Sequence, residues 1–394
     1  NMASNSKKIS VNRGDIAEVI LAAAVSAKFY DRPAHDNKTP WLVTHDEVLS
    51  MVKKILKTGR IVSKRHDIVK VNARVKDRIT LPKGVYYKEV PTIIDDIKFS
   101  ASIPIKPWNW LKEHKNNLEK IVDLFESSIK YVNNHKLLSD TAKKMAVNGK
   151  VDEFVVAASG TEDQKGTKVD IKMILNGKRT RTQISLKVKG GDQFAQISGI
   201  GFDKLKALWE DGLGLNITTI KKKYEKEMEN FVRKDTYDSR LNKRLNAQKD
   251  IVKEATRLVY ESAEKQLNQK FKNTKENEKF METLIEFISK GVAGDEADYL
   301  ELVKLEGSHY KRITINQAFK DHVKDLKLKA ILRPRPTDPK ITIKDTISGD
   351  PLIEIRMRAE GAPAGKVDGQ RRFKVYPRNI IEAPSKSIMY SLLS

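Results

Sequence analysis

Two segments flanking Asn176-Gly177 constrain this chain more than any other feature. KVDIKMIL at 168–175 and TQISLKVK at 182–189 alternate apolar and polar residues, the period of a strand with one covered face. Asn-Gly between such runs marks a tight hairpin turn, because both residues accept positive φ. On the first segment Val169, Ile171 and Met173 share a face, leaving Asp170 and Lys172 on the other; on the second, Ile184, Leu186 and Val188 oppose Gln183, Ser185, Lys187 and Lys189. A two-residue turn sets Asp170 across from Gln183, and a four-residue loop sets it across from Ser185. Both registers have the same parity. Asp170 is therefore expected on one face with Ser185 and Lys187, within reach of direct or diagonal cross-strand neighbours.

FVVAAS at 154–159 reads as a strand before this pair, and a helix is expected after it from about Asp192. Upstream, RGDIAEVILAAAVSAKF predicts a helix over 12–30 that carries apolar or Ala positions on nearly every side and is therefore buried, with Asp15 where a cap belongs. A loop over 30–44, a short helix at 44–58, short strands or an irregular β insertion over 59–103 and helical periodicity from Trp108 to Asn148 follow. Residues 220–290 are highly charged and lack proline, which predicts two or three long solvated helices that span DNA or form a dimer interface. From 303 onward proline, glycine and alternating segments predict a small antiparallel sheet. The expected division is a tail at 1–11, a core at 12–219 carrying an insertion at about 31–150, charged helices at 220–299 and a basic β-rich unit at 300–394.

The 394 residues hold 75 Lys and Arg against 52 Asp and Glu, a formal charge of +23. That excess favours a polyanionic partner, with nucleic acid ahead of an acidic membrane because the basic residues are spread over every segment. With no cysteine, thiol nucleophiles and disulfides are excluded; zinc ribbons go with them, and a reducing cytoplasm fits. No apolar run reaches spanning length. The seven histidines are scattered without metal-ligand spacing, and no phosphate-binding loop of the GxxxxGK[ST] form is present.

The expected chemistry lies at the hairpin. A carboxylate on one strand and a lysine on its neighbour can hold a divalent cation and a water beside a phosphate; the ordinary alternative is a surface ion pair worth little. Eight Lys or Arg residues between Gln164 and Gly191 surround the single acid Asp170. In GGDQFAQISGIGF the glycines permit close backbone approach, and Gln193 and Gln196 can reach a phosphate or water. Glu18 sits inside an apolar helix, where an unpaired charge is costly and a metal or lysine would compensate it. Lys172, Gln183 and Lys189 complete the expected nucleic-acid contacts, with Arg333, Arg335, Arg356, Arg358, Arg371 and Arg372 as further phosphate ligands.

Taken together, RGDIAE with Glu18, TKVDI with Asp170 and SLK with Lys187 resemble the PD-(D/E)XK, restriction-endonuclease-like nucleases, over about 12–30 and 154–209. The resemblance implies an α/β (α+β) fold with a mixed sheet flanked by helices, and a Mg²⁺- or Mn²⁺-dependent cut in double-stranded DNA. It also implies a metal held by Asp170, the Leu186 carbonyl and Glu18, with Lys187 handling the water. The family usually has Asp or Glu where this chain has Ser185, so the missing carboxylate would come from Asp192, Asp203 or Glu18. The rival expectations are a non-catalytic DNA-binding or structural protein that retains the fold, and an RNA-binding or RNA-cleaving protein.

Overall fold

The computed structural model describes residues 11–29, 42–58, 68–71, 88–91, 97–113, 115–140, 154–158, 170–175, 178–188, 192–199, 201–233, 241–293, 300–315, 325–367 and 370–391. The expected tail lies outside these residues except for Val11. Contacts gather the chain into two compact units, 1–189 with 292–314, and 190–291 with 315–394. Both mix helices with sheet, as expected of an α+β chain.

In the first unit α1 (Arg13–Phe29) is the buried helix that its sequence predicts. Ile16, Val19, Ile20, Leu21, the Ala22–Ala24 run and Val25 are all essentially inaccessible. The capping oxygen comes from Asn12, whose Oδ1 accepts from the Gly14 N–H at 3.0 Å, and Asp15 lies inside the first turn instead of at its start. α1 is covered by α2 (His45–Thr58), α5 (Val122–Asn134) and the sheet. Short helices α3 (Ile105–Glu113) and α4 (Lys115–Glu119) join the sheet to α5.

That sheet runs β1 (Ile68–Val71), β3 (Ile97–Pro104), β4 (Phe154–Ala158), β5 (Ile171–Leu175), β6 (Lys178–Lys187), β8 (Leu300–Glu306) and β9 (His309–Ile315), with β2 (Lys88–Pro91) also on β3. β4, β5 and β6 form an antiparallel meander, while β3 is parallel to β4 and β8 is parallel to β6. The stretch expected as an insertion at 31–150 thus supplies three strands of the sheet, β1 to β3, and two helices that cover α1. Likewise β8 and β9, assigned from sequence to the C-terminal unit, complete the first sheet. A parallel neighbour for β6 needs a long crossover, and the crossover here spans 188–299.

The second unit is built on an antiparallel sheet in the order β10 (Leu328–Leu332), β11 (Lys340–Asp345), β12 (Pro351–Val367), β13 (Gln370–Ala383), β7 (Asp192–Ser198). The segment expected to open a helix at Asp192 is therefore a strand, paired with β13 from Ser198↔Arg378 to Asp192↔Ala383. The helices Lys221–Arg233, Leu241–Lys270 and Thr274–Ala293 match the expected two or three, but they are not simply solvated. Val252, Ala255, Val259, Tyr260, Ala263 and Leu267 of the longest are buried, and that helix packs on β10, β12 and β13. Its Asn268 exchanges two 2.9 Å hydrogen bonds with the Ala330 backbone, and Glu264 accepts from the Leu332 N–H at 2.9 Å. A helix thus satisfies the backbone of the β10 edge. No helix among the described residues is long and apolar enough to cross a membrane.

One buried polar cluster ties α5 to the first sheet and was not read from the sequence. Tyr131 Oη donates to Glu301 Oε2, and His135 Nε2 lies 2.8 Å from the same oxygen. Leu138 N–H donates to His135 Nδ1 at 3.3 Å, which leaves Nε2–H as the donor to Glu301. Burial alone would push the Glu301 carboxyl up, but the His135 and Tyr131 bonds with the Arg312 charge outweigh it and hold the pKa below the usual glutamate range. The stability from this carboxylate is complete above that range and is lost as pH falls through the lowered folded value. Glu301→Ala is expected to cost roughly 3 kcal/mol and Tyr131→Phe about 1 kcal/mol in urea melts at neutral pH, with the Glu301→Ala penalty shrinking in acid.

Candidate active site

The β5–β6 ladder carries both features of the expected hairpin. Leu175 pairs with Lys178, and a register shift between Lys172 and Ile174 then sets Ile171 opposite Ile184 and Lys172 opposite Gln183. A two-residue separation at the turn and alignment of Asp170 with Ser185 therefore coexist, reconciled by the bulge. Asp170 immediately precedes β5, and its N–H donates to the Ile184 carbonyl at 2.9 Å.

Around the Asp170 carboxylate three groups of β6 converge. The Leu186 N–H donates to Oδ2 at 2.5 Å, Ser185 Oγ lies 3.5 Å from it and Lys187 Nζ 3.7 Å away. Lys187 Nζ also donates to Ser185 Oγ at 3.0 Å and to the Leu186 carbonyl at 3.1 Å. The ammonium therefore contacts both β6 oxygens and lies next to the carboxylate. Asp170 and Lys187 side chains are 16% and 24% exposed, so the pair is reachable from solvent without being a free surface salt bridge. Ser185, in contrast, is fully buried.

Glu18 projects from α1 towards this cluster. Burial pushes its carboxyl well above the ordinary range, the negative charges of Asp170 and Asp15 push it further, and Lys187 pulls the other way. Burial likewise raises Asp170, opposed by the Lys187 charge and the hydrogen bonds from Leu186, Ser185 and Lys187. Two mutually repelling, partly desolvated carboxylates and a backbone carbonyl beside one ammonium make a hard-oxygen donor set that a divalent cation would relieve. Mg²⁺ is commonly held by one or two carboxylates with waters completing its shell, so Asp170, Glu18 and the Leu186 carbonyl fit it. Among the described residues no group of three or more His, Cys, Asp or Glu side chains gathers around a point; the fit depends on the backbone oxygen and on water.

The remaining expected residues distribute differently. Lys172 and Gln183 are register partners one pair along from Ile171 and Ile184, and Lys189 lies outside the described residues. Gln193 and Gln196 belong to β7 in the second unit, where the Gln196 amide oxygen accepts from Arg378 Nη1 at 3.2 Å and Nε at 3.1 Å. Asp192 opens the same strand, and Asp203 is exposed on the short helix Phe202–Lys206 of the second unit. Within the first unit, Glu18 is the carboxylate brought near Asp170. Of the arginines considered for phosphate contact, Arg333 donates to the Asp338 carbonyl, Arg335 pairs with Glu254 and Glu261, Arg356 with Glu382, and Arg358 with Glu360.

The Glu18 carboxyl binds its proton more tightly in the folded chain than in the unfolded one, so its contribution to stability is complete at acid pH and is lost as pH rises through the raised folded value. Glu18→Gln is expected to raise the melting temperature above that of wild type at pH 8 in EDTA, and to abolish the further rise that Mn²⁺ gives wild type. Equal Mn²⁺-dependent shifts in both proteins would remove Glu18 from the metal set. The chain matches no protein-family model, no curated protein and no solved structure.

Proposed function

We propose that this chain is a divalent-metal-dependent deoxyribonuclease of the PD-(D/E)XK type, acting on double-stranded DNA. The observation that carries the reading is the meeting of Asp170, the Leu186 carbonyl and Lys187 within one short stretch of the β5–β6 ladder, with Glu18 of α1 beside them. A mixed sheet flanked by helices is the architecture that goes with it, and the formal charge of +23 suits a polyphosphate substrate.

In this reading Asp170, Glu18 and the Leu186 carbonyl would hold Mg²⁺ or Mn²⁺, which would supply charge against the developing oxyanion and acidify a water. Lys187 Nζ orients that water and stabilises negative charge as its oxygen bonds to phosphorus and one P–O ester bond breaks. Ser185 Oγ accepts from Lys187 and fixes the direction of the ammonium. Glu18 supplies the second carboxylate that Ser185 does not, reaching the site from a helix instead of the strand.

A second reading, a DNA-binding protein that keeps this fold without cutting, is favoured by one observation: Ser185 stands buried where a strand carboxylate would complete a more acidic metal site. Nicking of supercoiled plasmid in Mg²⁺ or Mn²⁺ separates the two. Asp170→Ala and Lys187→Ala are each expected to slow nicking by at least about 100-fold while leaving duplex binding in EDTA unchanged. If wild type and both variants nick at the same rate, the enzyme reading fails and the binding protein remains.

A further inference from the structure

The second unit contains a feature that the hydrolytic site does not use. β12 and β13 are the longest strands of their sheet, and their mutual pairing runs from Glu354↔Glu382 out to Val367↔Gln370. Their other neighbours stop far sooner. β11 pairs with β12 only over 351–356, and β7 pairs with β13 only over 378–383. From about Arg358 to Val367 on one strand and Gln370 to Tyr376 on the other, the two therefore pair only with each other among the described strands. At about 3.3 Å per residue over the shorter strand, this two-stranded ribbon runs roughly 23 Å beyond the five-stranded sheet.

Sequence and register show what the ribbon is suited to. Between Met357 and Arg378 the chain has six basic residues, Arg358, Lys366, Arg371, Arg372, Lys374 and Arg378, against Glu360 and Asp368. Glu360 pairs with Arg358 and Arg378 at the root, so the excess charge falls on the outer half, where Lys366 is the register partner of Arg371 and Ala362 that of Lys374. Pro363 and Pro377 lie within the ribbon, at Pro363↔Phe373 and Ala359↔Pro377, with a register shift between Pro363 and Lys366. Proline and basic residues are what exposed strands carry against pairing with a further strand, which argues against strand addition by another protein. A basic two-stranded ribbon with no third strand among those described instead matches the major groove of B-form DNA, about 12 Å wide and able to admit such an element. The deep, narrow major groove of an A-form duplex does not admit it.

We infer that the β12–β13 ribbon is a DNA-binding arm that enters the major groove of double-stranded DNA, with Arg371, Arg372 and Lys374 supplying cationic contacts to it. The inference rests on the reading of duplex DNA as the partner, and it adds a groove, a set of residues and a preference for B-form over A-form duplexes. Phosphate contacts by the arm add affinity on any sequence and make it salt-dependent; contacts to base edges in that groove would add sequence preference.

Fluorescence anisotropy of the full chain on a labelled duplex of about 30 base pairs, in EDTA so that nothing is cut, reads this directly through the slope of log K against log salt. R371Q/R372Q/K374Q is expected to weaken binding at least about tenfold and to flatten the slope by about 2 to 3, while R371K/R372K keeps the slope. The wild-type chain gives a measurement independent of any variant's folding: bulky glucosylated cytosines filling the major groove should cut its affinity, a minor-groove drug should not, and double-stranded RNA of the same sequence should compete poorly. The arm is overturned if the triple variant keeps wild-type affinity and slope, if major-groove bulk has no effect, or if the RNA competes equally. Failure of wild type to bind any duplex would overturn the DNA reading and the arm together, whereas normal wild-type binding with an indifferent triple variant removes the arm alone.

Discussion

The first unit depends on the burial of a helix that has no polar stripe. α1 exposes almost none of its apolar side chains, so it has to be covered on all sides, by α2 and α5 and by strands β3, β4 and β6. Fully burying each Val, Leu or Ile contributes roughly 1.5–3 kcal/mol, and α1 buries five such residues between Ile16 and Val25. A carboxylate on that helix is correspondingly costly. Glu18 places a carboxyl on this tightly packed element next to Asp170 and Lys187, and burial holds its pKa well above the ordinary range.

The candidate site is thus the meeting of two kinds of constraint. β5 and β6 set the distance between Asp170 and Lys187 through backbone geometry, with the Leu186 N–H holding the carboxylate and the Ser185 hydroxyl holding the ammonium. α1 adds Glu18 through packing. Burial raises both carboxyls above their usual range, and their mutual repulsion raises Glu18 further. In the proposed reading a bound cation would relieve the repulsion that burial makes expensive. The Tyr131–Glu301–His135 cluster shows the opposite solution in the same unit: there hydrogen bonds and the Arg312 charge keep the buried carboxylate ionised.

Much of this was legible in the residues, and what was not has a common cause. Alternation in KVDIKMIL and TQISLKVK carried the hairpin and the shared face of Asp170, Ser185 and Lys187, because parity survives a bulge of two residues. The apolar circumference of α1 predicted its burial. DQFAQIS reads locally as the start of a helix, since its strand partner β13 lies 180 to 191 residues further along, from Ser198↔Arg378 to Asp192↔Ala383, and leaves no local trace. The helix Leu241–Lys270 reads as solvated from its charges, but its Val252, Val259, Tyr260 and Leu267 face is spent on a sheet formed by later residues. Glu301 and its partners are 166 and 170 residues apart, beyond any spacing rule.

By itself the sequence determined what periodicity and chemistry can encode locally: the buried helix, the hairpin with an acid and a lysine on one face, the basic excess, and the lack of thiol chemistry. Tertiary structure alone decided which unit each later strand joins, that β7 is lost to the second sheet while β8 is gained by the first, and that α1 brings Glu18 beside Asp170. The physical reason is that side-chain periodicity reports which face of an element is covered, but not by what. The cover is chosen by long-range packing, in which backbone hydrogen bonds must be satisfied and buried charges must find partners wherever the chain brings them.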